Sequence, residues 1–247
     1  MSEPDAIGTP EGAPVPEVPA PEPAPPDAAS ITLEDVQNDP ELSLYIASAD
    51  RVMDAMGYTE HGFRHANLVA NIGYQVLHRL DFTEREAQLA CVAGYLHDVG
   101  NALARDAHGQ TGGVLVYQSL RDRVEGADLM PVIAAIANHE EAEGTAVSPI
   151  SAAVILADKS DVHRSRVRKA VNVDRDIHDR VNYAVTASEI KVSRKEKLIT
   201  LELAVDTEVS PIMEYFEIFL PRMMLSRRAA EFLHCNFALV INNTRLL

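Results

Sequence analysis

Leu96-His97-Asp98-Val99-Gly100 closes a run that opens on Thr83-Glu84-Arg85-Glu86, a capping box in which the hydroxyl accepts from the third amide while the acid reaches back. Leu89, Val92 and Leu96 recur along it at helical spacing. Adjacent side chains on a helix point about 100° apart, so His97 and Asp98 reach one metal ion only where the helix ends. Gly100 supplies such an end. An imidazole nitrogen beside a carboxylate oxygen suits Mn, Fe, Co, Ni or Zn better than the all-oxygen cages of Mg or Ca. The pair therefore predicts a transition-metal site at a helix terminus.

Working outward, Thr32-Leu-Glu-Asp35 is a second capping box, and Ser148-Pro149 sets a capping oxygen before a proline at the first helical position. Apolar periodicity predicts helices near 32–38, 41–56, 62–80, 84–99, 106–123, 128–140 and 149–168, so residues 31–170 read as an all-α bundle. A further helical stretch falls near 175–185. Beyond it the period changes to two: Ile190–Val192 and Ile199–Val205 flank the charged turn 193–197 and predict a β-hairpin. A helical segment from Ser210 to His234, interrupted or kinked at Pro221, and a strand Phe237–Ile241 complete a small α+β segment over 171–247. The fold class is mainly α with that appendage.

The 247 residues are 47% hydrophobic and 24% charged, which suits a soluble protein with one sizeable core or two small ones. No uncharged apolar run approaches the roughly 18–20 residues of a membrane span, and a secretory leader pattern is missing at the start, so a cytoplasmic location without membrane contact is expected. Cys91 and Cys235 are far apart and form no CxxC pair, which fits a reduced compartment. The net charge of −15 is concentrated at the start: residues 1–50 hold eleven acidic and no basic side chains, leaving −4 for residues 51–247. Nine of the fourteen prolines lie between Pro4 and Pro26. Residues 1–30 accordingly read as a disordered acidic spacer. Nothing here calls for an extended nucleic-acid surface.

Four further stretches set the His-Asp pair in order: His65-Ala-Asn-Leu-Val-Ala70, Asp106-Ala-His108-Gly, Ala137-Asn-His139-Glu140 and Ala157-Asp158. With Leu96–Gly100 they resemble the HD-domain superfamily of metal-dependent phosphohydrolases over roughly residues 40–170. The resemblance implies His65, His97, Asp98 and Asp158 as ligands of a first ion. It implies His108 and His139 as ligands of a second, with Asp98 bridging the two. His61 shares a helix face with His65 and reads as a support behind the ligands, as substrate-facing or as plain surface. Two departures stand out. Asn101 follows Gly100 where binuclear members often carry a phosphate-contacting lysine, and Asn138 precedes His139 where they often carry a second histidine. The Gly-Tyr-Pro signature of cyclic-dinucleotide phosphodiesterases is missing, so that substrate is not implied.

The basic run Asp158-Lys-Ser-Asp-Val-His-Arg-Ser-Arg-Val-Arg-Lys169 offers a replacement phosphate contact. If helix 149–168 continues through it, Arg164 and Arg168 form an i, i+4 pair suited to a bidentate grip, Lys159 adds a point charge, and Arg166 points elsewhere. The alternative is a solvated face paired with Asp161, Asp174 and Asp176. The expected reaction is hydrolysis of a phosphate ester by a metal-bound hydroxide with one or two divalent transition-metal ions. His97 and Asp98 stand at its centre, and Glu140 or Asp161 handles the proton. The expected partner is a small phosphorylated substrate, a nucleotide among the options, and a homo-oligomer is left open. A diiron oxygenase on the same scaffold is the second enzyme reading, and a nucleotide-sensing module without turnover is the third.

Overall fold

The computed structural model describes residues 30–141, 144–168 and 176–247. The acidic tail expected for residues 1–30 falls, Ser30 apart, outside the described residues, as do Lys169 and Asp174. The capping signals mark helix starts where they were read. Thr32 and Thr83 form complete capping boxes for α1 (Leu33–Gln37) and α4 (Glu84–Leu96), and the Ser148 hydroxyl accepts from the Ser151 amide at the head of α7 (Pro149–Ser160). Between them lie α2 (Pro40–Ala55), α3 (Phe63–Arg79), a 3-10 turn at Val99–Ala102, α5 (His108–Leu120) and α6 (Gly126–Ala137).

Helices α4 and α7 are the central ones. In α4 every residue from Leu89 to Leu96 is buried, and in α7 every residue from Ile150 to Ser160 is. A helix apolar nearly all round is one that others enclose, here α3, α6 and the C-terminal helix. The close approach is written in glycines: a side chain at Gly94 would lie 3.0 Å from the Val69 carbonyl oxygen, and one at Gly100 only 1.9 Å from that of His108. Gly100 is thus required by contact with α5, beyond ending a helix.

The expected helix 149–168 is corrected by the structure: α7 stops at Ser160, and only Arg164–Arg166 form a separate 3-10 turn. Two local causes are visible. The Ser160 hydroxyl donates to the Ala157 carbonyl, and Asp161 leaves the helix at ψ 75 to turn its carboxylate inward. The i, i+4 geometry assumed for Arg164 and Arg168 therefore does not exist.

The C-terminal part begins with α8 (Ile177–Ala184), then β1 (Val185–Ser193) and β2 (Leu198–Val205), paired antiparallel as the expected hairpin. Its alternation is the predicted one, with Ile199, Leu201, Leu203 and Val205 buried. Helix α9 (Ile212–Phe232) runs through Pro221 and returns the chain to β3 (Asn236–Ile241), parallel to β2; β4 (Thr244–Arg245) adds an edge not foreseen in the sequence. Most of the buried apolar residues form one connected cluster from Ile31 to Ile241, and α9 packs directly on α7.

Candidate metal centre

Three helices deliver side chains to one point with their C-terminal ends. His97 is the C-cap residue of α4, His139 follows the C-cap of α6, and Asp158 lies in the last turn of α7. The carboxyl end of a helix carries partial negative charge from its unpaired carbonyls, so the point where three meet favours cations. His65 comes from the first turn of α3 and His108 opens α5. All four imidazoles are at least 99% buried.

The ring orientations follow from local chemistry. His97 Nδ1 lies 2.8 Å from the Gly94 carbonyl oxygen, His139 Nδ1 2.6 Å from that of Ile136, and His108 Nδ1 2.9 Å from that of Arg105. A carbonyl only accepts, so each Nδ1 carries the proton and each Nε2 is turned to the centre. His65 Nδ1 instead meets Asp161 Oδ2 at 2.7 Å, the carboxylate–histidine arrangement that orients a metal-binding ring. The Nε2 atoms then meet in pairs, His65 with His97 at 3.1 Å and His108 with His139 at 3.1 Å.

Asp98 lies between the pairs. Its Oδ2 is 3.6 and 3.4 Å from Nε2 of His65 and His97, and its Oδ1 is 3.3 and 3.8 Å from Nε2 of His108 and His139. Asp158 Oδ1 joins the first pair, at 3.4 Å from His65 and 3.7 Å from His97. The donors fall into overlapping triads, His65/His97/Asp98 and Asp98/His108/His139 among them. This cluster can hold a divalent metal ion. Its electrostatics ask for one: against the opposing effect of burial, Asp98 and Asp158 push His97 up to about 10, and Asp98 and Glu140 push His108 up to about 9. His97 in turn outweighs burial to hold Asp98 well below the usual carboxylate range, and Lys159 does the same for Asp158. Without a cation, protons supply the missing positive charge.

The remaining expected site residues are placed as follows. Glu140 Oε2 lies 3.0 Å from His108 Nε2, and burial notwithstanding, His108 keeps its carboxyl ionised. Asp161 stands behind His65, held also by Arg64 at 2.8 Å, away from the converging Nε2 atoms. Lys159 is buried between Asp158 Oδ2, at 2.6 Å, and Glu141 Oε1, at 3.1 Å. Arg164 is exposed with its guanidinium over the Tyr183 ring, and Arg168 binds Asp50 at 2.5 Å and the Tyr58 carbonyl at 3.0 Å. Neither has a contact with the metal-site residues among these. Arg166, read as pointing elsewhere, is 2% exposed and donates to the carbonyls of Glu60 and Asp161.

Sequence reasoning missed several residues that the fold brings in. Asn101 is buried and donates to Asp98 Oδ1 at 2.9 Å, so it steadies the central carboxylate. Arg105 reaches the His108 ring at 3.3 Å and Glu140 at 3.6 Å, and Arg222 of α9 binds Glu141 at 2.7 Å. Only Asn101 carried a local signal, its place three residues after Asp98.

Residues 62–166 match the HD domain family. This stretch belongs to that family. The match takes in the whole ligand cluster and stops short of α8, the sheet and α9. The chain is also 28% identical over 175 residues, 62% of its length and 67% of the relative's, to an uncharacterized protein of Methanocaldococcus jannaschii. HD domains are in general metal-dependent hydrolases acting on small phosphorylated substrates, and the His/Asp cluster of this HD domain fits that chemistry. No helix among the described residues is long and apolar enough to cross a membrane.

Proposed function

We propose that the chain hydrolyses a phosphate ester at a centre of two divalent transition-metal ions, Mn, Fe, Co, Ni or Zn. The observation that carries this reading is the division of one carboxylate, Asp98, between two imidazole pairs. In it, His65, His97, Asp98 and Asp158 hold the first ion, and Asp98, His108 and His139 the second. Bound ions of this kind lower the pKa of water and neutralise phosphoryl oxygens as charge develops. The chain's own residues position and move protons. Asn101 fixes the shared carboxylate, Asp161 fixes the His65 ring, and Lys159 holds the outer oxygen of Asp158. Glu140, ionised beside His108, accepts the proton of the attacking water. Arg105, which touches both His108 and Glu140, replaces the lysine that Asn101 displaces and takes the substrate phosphate, in preference to Arg164 and Arg168.

A guanidinium next to the centre favours an anionic substrate over oxygen activation. The test strips the full chain with a chelator, reloads it with each metal in turn and follows phosphate release from 4-nitrophenyl phosphate and other monoesters. Turnover is expected to return with metal, and Asp98→Ala is expected to lose both bound ions and at least a thousandfold in rate. A protein that binds two irons with a mixed-valent signal and cleaves no ester would be an oxygenase instead.

A further inference from the structure

Asp158 shows the metal centre one oxygen and withholds the other. Its Oδ1 faces the His65 and His97 rings at 3.4 and 3.7 Å, while its Oδ2 is covered by Lys159 Nζ at 2.6 Å. Lys159 is 3% exposed and meets a second carboxylate, with Glu141 Oε1 at 3.1 Å. The same Oε1 also meets Arg222 Nε of α9 at 2.7 Å. Charges of alternating sign thus follow one another by contact, from a ligand of the first ion to a helix beyond the family match.

Buried ion pairs add little stability over apolar packing of the same volume, so four linked charges that end on a metal ligand matter chiefly through their fields. The ammonium on Oδ2 draws charge from Asp158 and leaves Oδ1 alone for an ion. Glu141 Oε1 is buried and makes no hydrogen bond among the described residues, and both cations share it. What the guanidinium takes of that oxygen, the ammonium loses. The distances agree, since Lys159 stands nearer to Asp158, at 2.6 Å, than to Glu141, at 3.1 Å.

We propose that Arg222 is a positioning residue for the first ion. By occupying Glu141 it leaves Lys159 on Asp158, which then offers one oxygen at reduced charge, so the ion bound there is held less tightly and is the stronger Lewis acid. The proposal rests on the two-ion reading of the site and is independent of the reaction carried out there.

The experiment measures zinc Kd values of full-length parent, Glu141→Gln, Arg222→Met and Arg222→Lys by competition with a chromogenic chelator. Each is repeated in two backgrounds: His108→Ala with His139→Ala, which leaves the first ligand set, and His65→Ala with Asp158→Ala, which leaves the second and removes the end of the relay. At the first set Glu141→Gln gives Lys159 wholly to Asp158 and should weaken zinc about tenfold. Arg222→Met gives Glu141 the stronger hold on Lys159 and should tighten zinc about three- to tenfold. Arg222→Lys keeps the charge and should bind like the parent. Opposite signs are the signature, because a merely structural role weakens binding in both variants. Shifts of one sign, or none, overturn the proposal, and so do shifts of equal size at the second set, which would show a direct long-range field. Should Arg222→Met fail to melt cooperatively, the nearly isosteric Glu141→Gln decides: weakening confined to the first set upholds the relay, and weakening at both sets overturns it. A parent that takes up no zinc defeats the two-ion reading itself, whereas normal uptake with unshifted Kd values defeats only the relay.

Discussion

His97, His108 and His139 share one device: each sends Nδ1–H to the carbonyl three residues back and so aims Nε2 at the centre. His65 departs from it, because Asp161, 96 positions away in the chain, takes its Nδ1. That partnership predicts a selective defect. Asp161→Asn can present its amide nitrogen to the ring and favour the wrong tautomer, and the first ion should bind ten- to a hundredfold more weakly, read by competition with a chromogenic chelator, while the second ion is retained. The same residues set a pH dependence. In the metal-free chain His97 titrates at about 10 and His108 at about 9, both raised, so at pH 7.5 each ring holds a proton that an incoming ion must displace. Metal affinity should therefore rise with pH up to about 10, where the last of these protons is lost, and fall as the solution is made acidic. Calorimetry in buffers of different ionisation enthalpy should detect release of up to two protons per loaded centre. The His-Asp pair was legible in the sequence because its chemistry is local. Asp161 as the partner of His65 was not, since no local pattern specifies a contact across 96 positions.

Element boundaries explain where the reading of the basic run departed from the structure. Periodicity carried α7 through to residue 168, because Val162, Arg166 and their neighbours contain no proline or glycine to stop it. The stop is tertiary: Asp161 is pulled inward by His65 and Arg64, and the chain turns so that Arg166 fills the space between Glu60 and Asp161. The roles expected of the three arginines exchange accordingly. Arg166→Ala removes a fully buried guanidinium and leaves the Asp161 carboxylate and two carbonyls short of donors, a loss on the order of 3–5 kcal/mol, so its melting temperature should drop by about ten degrees. Arg164→Ala, on the surface over Tyr183, should melt with the parent. Arg168→Ala should lose a smaller amount, on the order of 1 kcal/mol, because its partner Asp50 is only half-buried. Scanning calorimetry of the three variants checks the order; equal melting temperatures would show that the run is solvated throughout.

At the scale of the whole molecule the sequence suggested a helical unit over 31–170 followed by an α+β segment, since the hydrophobic period changes from helical to alternating between them. Period reports local structure and says nothing of what each element packs against. In the fold, α9 lies on α7 and buries Tyr215, Phe219, Met223 and Leu225, while Ile199 and Leu201 belong to the same connected cluster as Leu96 and Ile155. Each large apolar side chain is worth roughly 1.5–3 kcal/mol when buried, so the gross gain from the four of α9 is as large as a typical net stability of roughly 5–15 kcal/mol. Truncation after Arg168 should leave the outer face of α7 bare and the Lys159–Glu141 pair without Arg222. Such a protein is expected to aggregate or to show no cooperative transition. The full chain should unfold in one calorimetric step whose van't Hoff and calorimetric enthalpies agree. Two resolved transitions, or a truncated chain that melts cooperatively and still binds metal, would mean that the HD helices stand alone and that α8 and α9 are dispensable to the fold.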